Sequence, residues 1–177
     1  AAGELSLAAA TSVATLLMFA GLGIAFAAGT SVVSVVGGYV LLNVAYTTWI
    51  KRQPVYDVFC LAALYTLRII AGAVAAAVTL SPWLVAFSVF AFLSLALLKR
   101  AADLSRLDGD AALPGRGYRA RDALFVNGLG LTSAVAACLV LAMYVAGDQV
   151  TMLYTQPLWL WGMVVIMLLW LARLWHL

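Results

Sequence analysis

Apolar residues run in long blocks along this chain, and the polar positions gather in short breaks between them. The blocks read as spans near 6–27, 31–50, 58–78, 82–98, 122–146 and 157–175. The breaks are Ala28-Gly29-Thr30, Lys51 to Asp57, Thr79 to Pro82, Lys99 to Arg121, and Gly147 to Pro157. Each block is long enough to cross a bilayer, some with tilt or snorkelling ends. The expected fold is therefore all-α: a polytopic membrane helical bundle of about six transmembrane helices, in a single domain over 1–177.

Composition removes the alternatives. Hydrophobic residues make up 66% of the chain and charged residues 10%, with a mean hydropathy of +1.08. A soluble domain carries roughly 45–50% apolar and about 25% charged residues, so neither a water-soluble core nor disorder fits. One secretory signal cannot explain the pattern, because the blocks recur along the whole length. The chain opens Ala1-Ala2-Gly3-Glu4 without an initiator methionine, and is read as a processed or excised piece of something longer.

The placement of charge orients the bundle. Lys51, Arg52, Lys99, Arg100, Arg106, Arg116, Arg119 and Arg121 fall in alternate connections, with Arg173 at the end of the last span on that side. The opposite connections hold Asp148 and no Lys or Arg. The positive-inside rule puts both termini and the two charged connections in the cytoplasm, as in a multi-pass protein of the inner membrane. Trp49 and Trp175 at the cytoplasmic ends, and Trp83 and Trp159 at the outer ends, fit an interfacial belt. Cys60 and Cys138 read as small buried hydrophobes, and Gly21/Gly23 and Gly128/Gly130 as close-packing positions. The basic rim can simply obey topology and touch anionic lipid; no nucleic-acid partner is expected.

Two cytoplasmic segments are richer than topology demands. In Tyr46 through Asp57, Pro54 should stop the helix and bring Lys51 and Asp57 to one rim. Lys51 can present an ammonium to a phosphate, with Asp57 to orient it or hold a metal-bound water. In Lys99-Arg100-Ala101-Ala102-Asp103-Leu104, continuing the fourth span, Lys99 and Asp103 would share a helical face. That suits a phosphate bound by cations, with the carboxylate holding them or a divalent metal; an ordinary salt bridge is the alternative. Asp57, Leu61, Leu64 and Arg68 form one helical stripe. A cation as deep as Arg68 needs a polar cavity or a partner, unless it snorkels. Asn43 and Asn127 either line a cavity or bond between helices. Asp108-Gly109-Asp110 and Leu113 through Tyr118 read as a mobile loop. Its Arg116, with Arg119 and Arg121, can close over an anionic substrate or merely anchor the next span.

These residues resemble the UbiA superfamily of intramembrane prenyltransferases, most of all its decaprenyl-phosphate phosphoribosyltransferase branch. Ala2-Gly3-Glu4-Leu5-Ser6 looks like the segment before the family's third helix. Tyr46 through Asp57 looks like its tyrosine-serine-x-x-leucine-lysine-x-x-proline-x-x-aspartate stretch, with Thr47 for the serine and Ile50 for the leucine. Arg68 through Gly72 matches arginine-x-x-alanine-glycine. Lys99 through Leu104 is similar to lysine-arginine-x-x-glutamate-leucine, with the shorter Asp103 for glutamate, and Gly115-Arg116-Gly117-Tyr118 followed by Asp122 continues it. The family's first acidic motif, which carries most of the aspartates that hold magnesium, would lie upstream of Ala1 with two helices, and a ninth helix would follow Leu177. The chain thus looks like the six central helices of a nine-helix enzyme, and alone is expected to be inactive.

The resemblance implies a polyprenyl phosphate in the apolar groove and phosphoribosyl diphosphate as donor, with Mg2+ on the diphosphate. Lys51, Lys99 and Arg100 would contact phosphate, and Tyr46 and Asp57 would position them. Arg68 would bound the polar end of the cavity. Arg116 and Tyr118 would bind substrate, and Asp103 would orient the cations or touch metal. The enzymatic alternative is prenyl transfer from a diphosphate to an aromatic acceptor. The non-enzymatic one is a transporter-like or structural membrane subunit, or an inactive piece; oligomers are compatible with either.

Overall fold

The computed structural model describes residues 6–107 and 111–176. Six helices in it are long and apolar enough to cross a membrane. They are α1 (Leu7–Ala28), α2 (Thr30–Thr48), α3 (Tyr56–Ala75), α4 (Pro82–Leu104), α5 (Ala123–Ala146) and α7 (Trp161–His176). The remaining helix, α6 (Asp148–Leu153), lies in the connection before α7 and is too short to span. No strand occurs among the described residues, only an isolated bridge between Ala112 and Arg119. The all-α multi-pass architecture read from the apolar blocks is what the chain adopts.

Sequence punctuation explains most helix ends. Ser6 caps α1 by accepting from the Ala9 N–H at 3.2 Å, and Gly29 takes φ 116 between α1 and α2, where a side chain would be strained. Pro82 opens α4 at a first-turn position that needs no N–H donor.

One end departs from expectation. Residues 76–78 are not helical; α3 stops at Ala75 and Ala77 adopts φ 53. As read from Lys99 through Leu104, α4 continues past the apolar block that ends at residue 98 and reaches Leu104. Hydropathy falls at Lys99, but Arg100 turns inward and is paired there, so the helix continues below the basic rim.

Each helix packs chiefly on its neighbours in sequence, and α4 with α5 makes the most extensive contact. Small residues permit it: Ser88, Ala91, Ser94 and Ala96 of α4, with Gly130, Ser133, Ala134 and Ala137 of α5, are buried. Close approach through small side chains is how membrane helices gain dispersion contact. Of the four glycines singled out for packing, Gly130 alone has neighbours where a Cβ would sit, the Trp175 ring and Leu97. Trp175 is therefore no belt residue; its indole N–H donates to Ser94 Oγ at 3.0 Å. Trp49 and Trp159 are exposed, as an interfacial position requires, and both cysteines are free and buried. The core clusters on α3, α4, α5 and the α4–α5 connection, leaving α1, α2 and α7 with largely open faces.

Candidate functional site at the basic rim

The α2–α3 connection is short and strained. After the single turn Ile50–Arg52 the chain reaches Pro54 and then Val55, whose φ of 71 and ψ of −52 are those of a tight three-residue turn. The Tyr56 N–H closes it onto the Pro54 carbonyl at 2.8 Å. A β-branched residue in this conformation is an outlier that surrounding contacts must hold. The holding contact is visible: the Val55 N–H donates to Tyr118 Oη at 2.7 Å.

Tyr118 comes from the other charged connection, where residues 111–120 form a hairpin. Leu113 N–H donates to the Tyr118 carbonyl at 2.8 Å and Ala120 N–H to that of Ala111 at 3.1 Å. Its turn is Leu113-Pro114-Gly115-Arg116, with Gly115 at φ 72 and the Arg116 N–H on the Leu113 carbonyl. Proline then glycine at the two central positions is the sequence such a turn requires. This part of the loop, expected to be mobile, is a docked hairpin with Tyr118 only 1% exposed. Asp108-Gly109-Asp110 and the segment Ala2 to Leu5 lie outside the described residues.

Asp57 joins the connections. It sits in the first turn of α3, fully buried, where the helix dipole favours a carboxylate. Its Oδ1 accepts from Tyr118 Oη at 2.6 Å. Its Oδ2 accepts from Arg100 Nε at 2.7 Å and Arg116 Nη1 at 3.4 Å. Arg100 Nη1 also reaches Asp103 Oδ2 at 2.9 Å, and Arg116 Nη1 donates to Tyr46 Oη at 3.1 Å. Two carboxylates face two guanidinium groups, so the cluster is neutral, as burial demands. Burial, then the bond to Asp57, pushes the Tyr118 phenol well above its usual range, against a smaller opposing effect of the Val55 N–H.

The expected site residues therefore divide. Tyr46, Asp57, Arg100, Asp103, Arg116 and Tyr118 form one connected network. Arg100, expected to touch phosphate, is instead 1% exposed with two nitrogens committed to carboxylates. The anticipated Lys99–Asp103 pairing is replaced by Arg100–Asp103, because Arg100 points into the bundle while Lys99 is exposed. Lys51, half-buried on the turn after α2, makes no ion pair or hydrogen bond with any described residue.

Arg68 lies apart, at a cavity of about 160 Å³ between α2 and α3. Leu61 and Leu64 line it with Arg68, whereas Asp57 of the same stripe belongs to the rim network. Asn43 also lines this cavity rather than bridging helices. Sequence reasoning missed Tyr39, although Tyr39, Asn43 and Tyr46 recur at helical spacing in an otherwise apolar span. Gly117 was part of the quoted motif, but its close approach to the α2–α3 turn was not read from the sequence.

No group of three or more metal-ligating side chains occurs among the described residues. Asp57 has both oxygens engaged, and Asp103 spends one on Arg100, whose charge opposes a cation. These residues do not fit a resident magnesium ion.

Comparison with known sequences settles the family. The UbiA prenyltransferase family matches residues 1–177. The chain belongs to that family. This UbiA family member is 35% identical over 178 residues to an uncharacterised protein, y4nM, of Sinorhizobium fredii, covering 99% of the chain and 34% of that protein. It is 38% identical over 124 residues to the nodulation protein NoeC of Azorhizobium caulinodans, covering 69% and 40%. A decaprenyl-phosphate phosphoribosyltransferase of Corynebacterium glutamicum is 34% identical over 106 residues, covering 59% and 32%. The chain thus spans between 30% and 40% of the length of the curated relatives it matches. No solved structure gives a significant match.

In this UbiA family member, two substitutions test the joint between the connections. Tyr118→Phe leaves the Val55 N–H unpaired and is expected to lower stability by about 1–3 kcal/mol. Because the folded state holds the phenol protonated, its contribution is complete below about pH 10, the usual tyrosine value, and fades as pH rises above it. Thermal unfolding in detergent should therefore show a steeper alkaline loss for the natural protein than for Tyr118→Phe. A Cβ at Gly117 would stand 2.6 Å from Pro54 Cδ and 2.7 Å from the Arg52 carbonyl oxygen. Gly117→Ala should push the connections apart, lowering the unfolding midpoint and speeding tryptic cleavage after Arg52.

Proposed function

We propose that this UbiA family member transfers a 5-phosphoribosyl group from phosphoribosyl diphosphate to a polyprenyl phosphate, at the cytoplasmic face of the inner membrane. A lipid phosphate oxygen forms the new bond to C1 of the ribose as the C1–O bond to diphosphate breaks, and diphosphate leaves with the electron pair. The protein's task in such a displacement is to hold negative charge developing on the leaving group.

The observation that carries this reading is the rim itself. The unpaired Lys51 ammonium and the half-buried Arg116 stand beside a neutral, buried Asp57–Arg100 network that fixes the backbone beneath them. Lys51, Lys99 and Arg116 are assigned to the phosphates, with Tyr46 orienting Arg116. Asp57, Arg100, Asp103 and Tyr118 act as positioning residues, since their polar atoms are spent on one another. The similarity to the decaprenyl-phosphate phosphoribosyltransferase of Corynebacterium glutamicum supports phosphoribosyl transfer.

Membranes carrying the protein at its natural full length, given either phosphoribosyl diphosphate labelled in the ribose or a labelled prenyl diphosphate, distinguish the chemistries. Ribose label is expected in the lipid-phosphate fraction. Prenyl label on an aromatic acceptor, or no transfer from either donor, would refute the assignment.

A further inference from the structure

Arg68, the cation set inside the spans, is answered there: its Nε and Nη2 donate to Tyr39 Oη at 3.2 and 2.7 Å. The opposite imbalance, apolar side chains between two spans without cover, occurs in the connection from α5 to α7, on the face away from the basic rim. Gly147 through Leu160 holds Asp148 as its one charge and is otherwise rich in Val, Met, Leu and aromatic residues. A connection lying in water is polar instead.

The geometry turns these residues outward. Val150 is wholly buried and fixes α6 against the bundle. Met152, Leu153, Leu158 and Trp159 are 72–86% exposed, with the half-exposed Tyr154 among them. They stand between exposed Leu139 and Met143 of α5 and exposed Trp161 and Val165 of α7, on two membrane-spanning helices. Trp159 needs no water for its polar edge, because its indole N–H donates to Gln156 Oε1 at 2.7 Å.

Helix length sets the depth of this surface. With 16 residues, α7 is about 24 Å long at a rise of about 1.5 Å per residue, short of a hydrocarbon core of about 30 Å. The turn Pro157–Leu160 completes the crossing and carries Leu158 and Trp159 to the lipid. Tyr154 to Gln156, by contrast, belong to no helix, and irregular backbone is not tolerated in lipid-exposed hydrocarbon. The place that suits both is the headgroup boundary, where aromatic and apolar side chains enter lipid while carbonyls stay hydrated.

We infer that α6 and the turn after it form a membrane-interface anchor. Its partner is the boundary between headgroups and acyl chains in the leaflet opposite the basic rim, entered by Met152, Leu153, Leu158 and Trp159. The anchor stands whichever transfer the rim carries out.

The full-length protein carrying Leu153→Cys or Leu158→Cys is labelled with a nitrobenzoxadiazole maleimide and reconstituted in phosphatidylcholine–phosphatidylglycerol vesicles. Cys60 and Cys138 are buried, and the natural protein treated in the same way supplies the blank. Ser105→Cys, on an exposed residue just past α4, is the aqueous reference. Both connection labels should be quenched several-fold more by phospholipid spin-labelled near the headgroup end of its chain than by iodide present on both sides. The reverse is expected for Ser105→Cys. Quenching of the connection labels chiefly by iodide would show a loop in water. Quenching by neither would show cover by protein, from a second copy or from elsewhere in the full-length chain. Either result overturns the anchor. If one of the two variants fails to reconstitute, Met152→Cys replaces it and is read in the same way.

Discussion

Replacing Asp57 by asparagine is expected to destabilise the protein toward the lower end of about 3–5 kcal/mol, the range for breaking a buried ion pair. Arg100 keeps Asp103 as a partner but loses its 2.7 Å bond to a carboxylate that is itself wholly buried. Tyr118 and Arg116 lose the charged acceptor they share with it. Because Tyr118 also pins the strained Val55 backbone, the change reaches the α2–α3 turn. A paired replacement separates stability from positioning. Asp57→Leu with Arg100→Met removes both buried charges and should recover most of the lost stability. It should not recover transfer, since the connections would no longer be fixed to each other. Thermal unfolding in detergent and transfer in membranes check the two halves; an unchanged midpoint for Asp57→Asn would contradict the role given to the network.

Lys51→Ala is expected to behave oppositely, slowing transfer by about a hundredfold or more while leaving stability near that of the natural protein. The lost rate is that of one preorganised group facing developing negative charge. The unchanged stability follows because Lys51 pairs with no described residue. Arg116→Ala should show both effects at once, since that side chain bonds Tyr46 and Asp57 as well as facing the rim. Comparing initial rates with unfolding midpoints across the two variants makes the distinction. A Lys51 variant that transfers at the natural rate would remove it from the site.

The six spans were legible because apolar blocks of membrane length leave little else for the chain to do, and because charge marks their connections. The membership of Tyr46, Asp57, Arg100, Asp103, Arg116 and Tyr118 in one region was also legible, through motif order. Their roles were not. Arg100 follows Lys99 in sequence, and only the rotation of α4 decides which of the two points inward. Pro54 marked a tight turn, but the positive φ at Val55 had no signal, since a β-branched residue opposes it and its N–H partner is the distant Tyr118. The hairpin at 111–120 did carry a signal in Pro114-Gly115, whose φ requirements specify the turn. Tyr39 was overlooked because one tyrosine in an apolar span is ordinary; its spacing with Asn43 and Tyr46 was the informative feature.

Lys51 and Lys99 are the two lysines of the sequence, which allows direct footprinting of the rim. An amine-reactive reagent applied to the folded protein, with and without phosphoribosyl diphosphate, reports through peptide mapping which ammonium meets the ligand. Protection of Lys51 by several-fold, lost in Arg116→Ala, is the predicted result. Equal labelling of Lys51 at saturating ligand would contradict a diphosphate site at this rim.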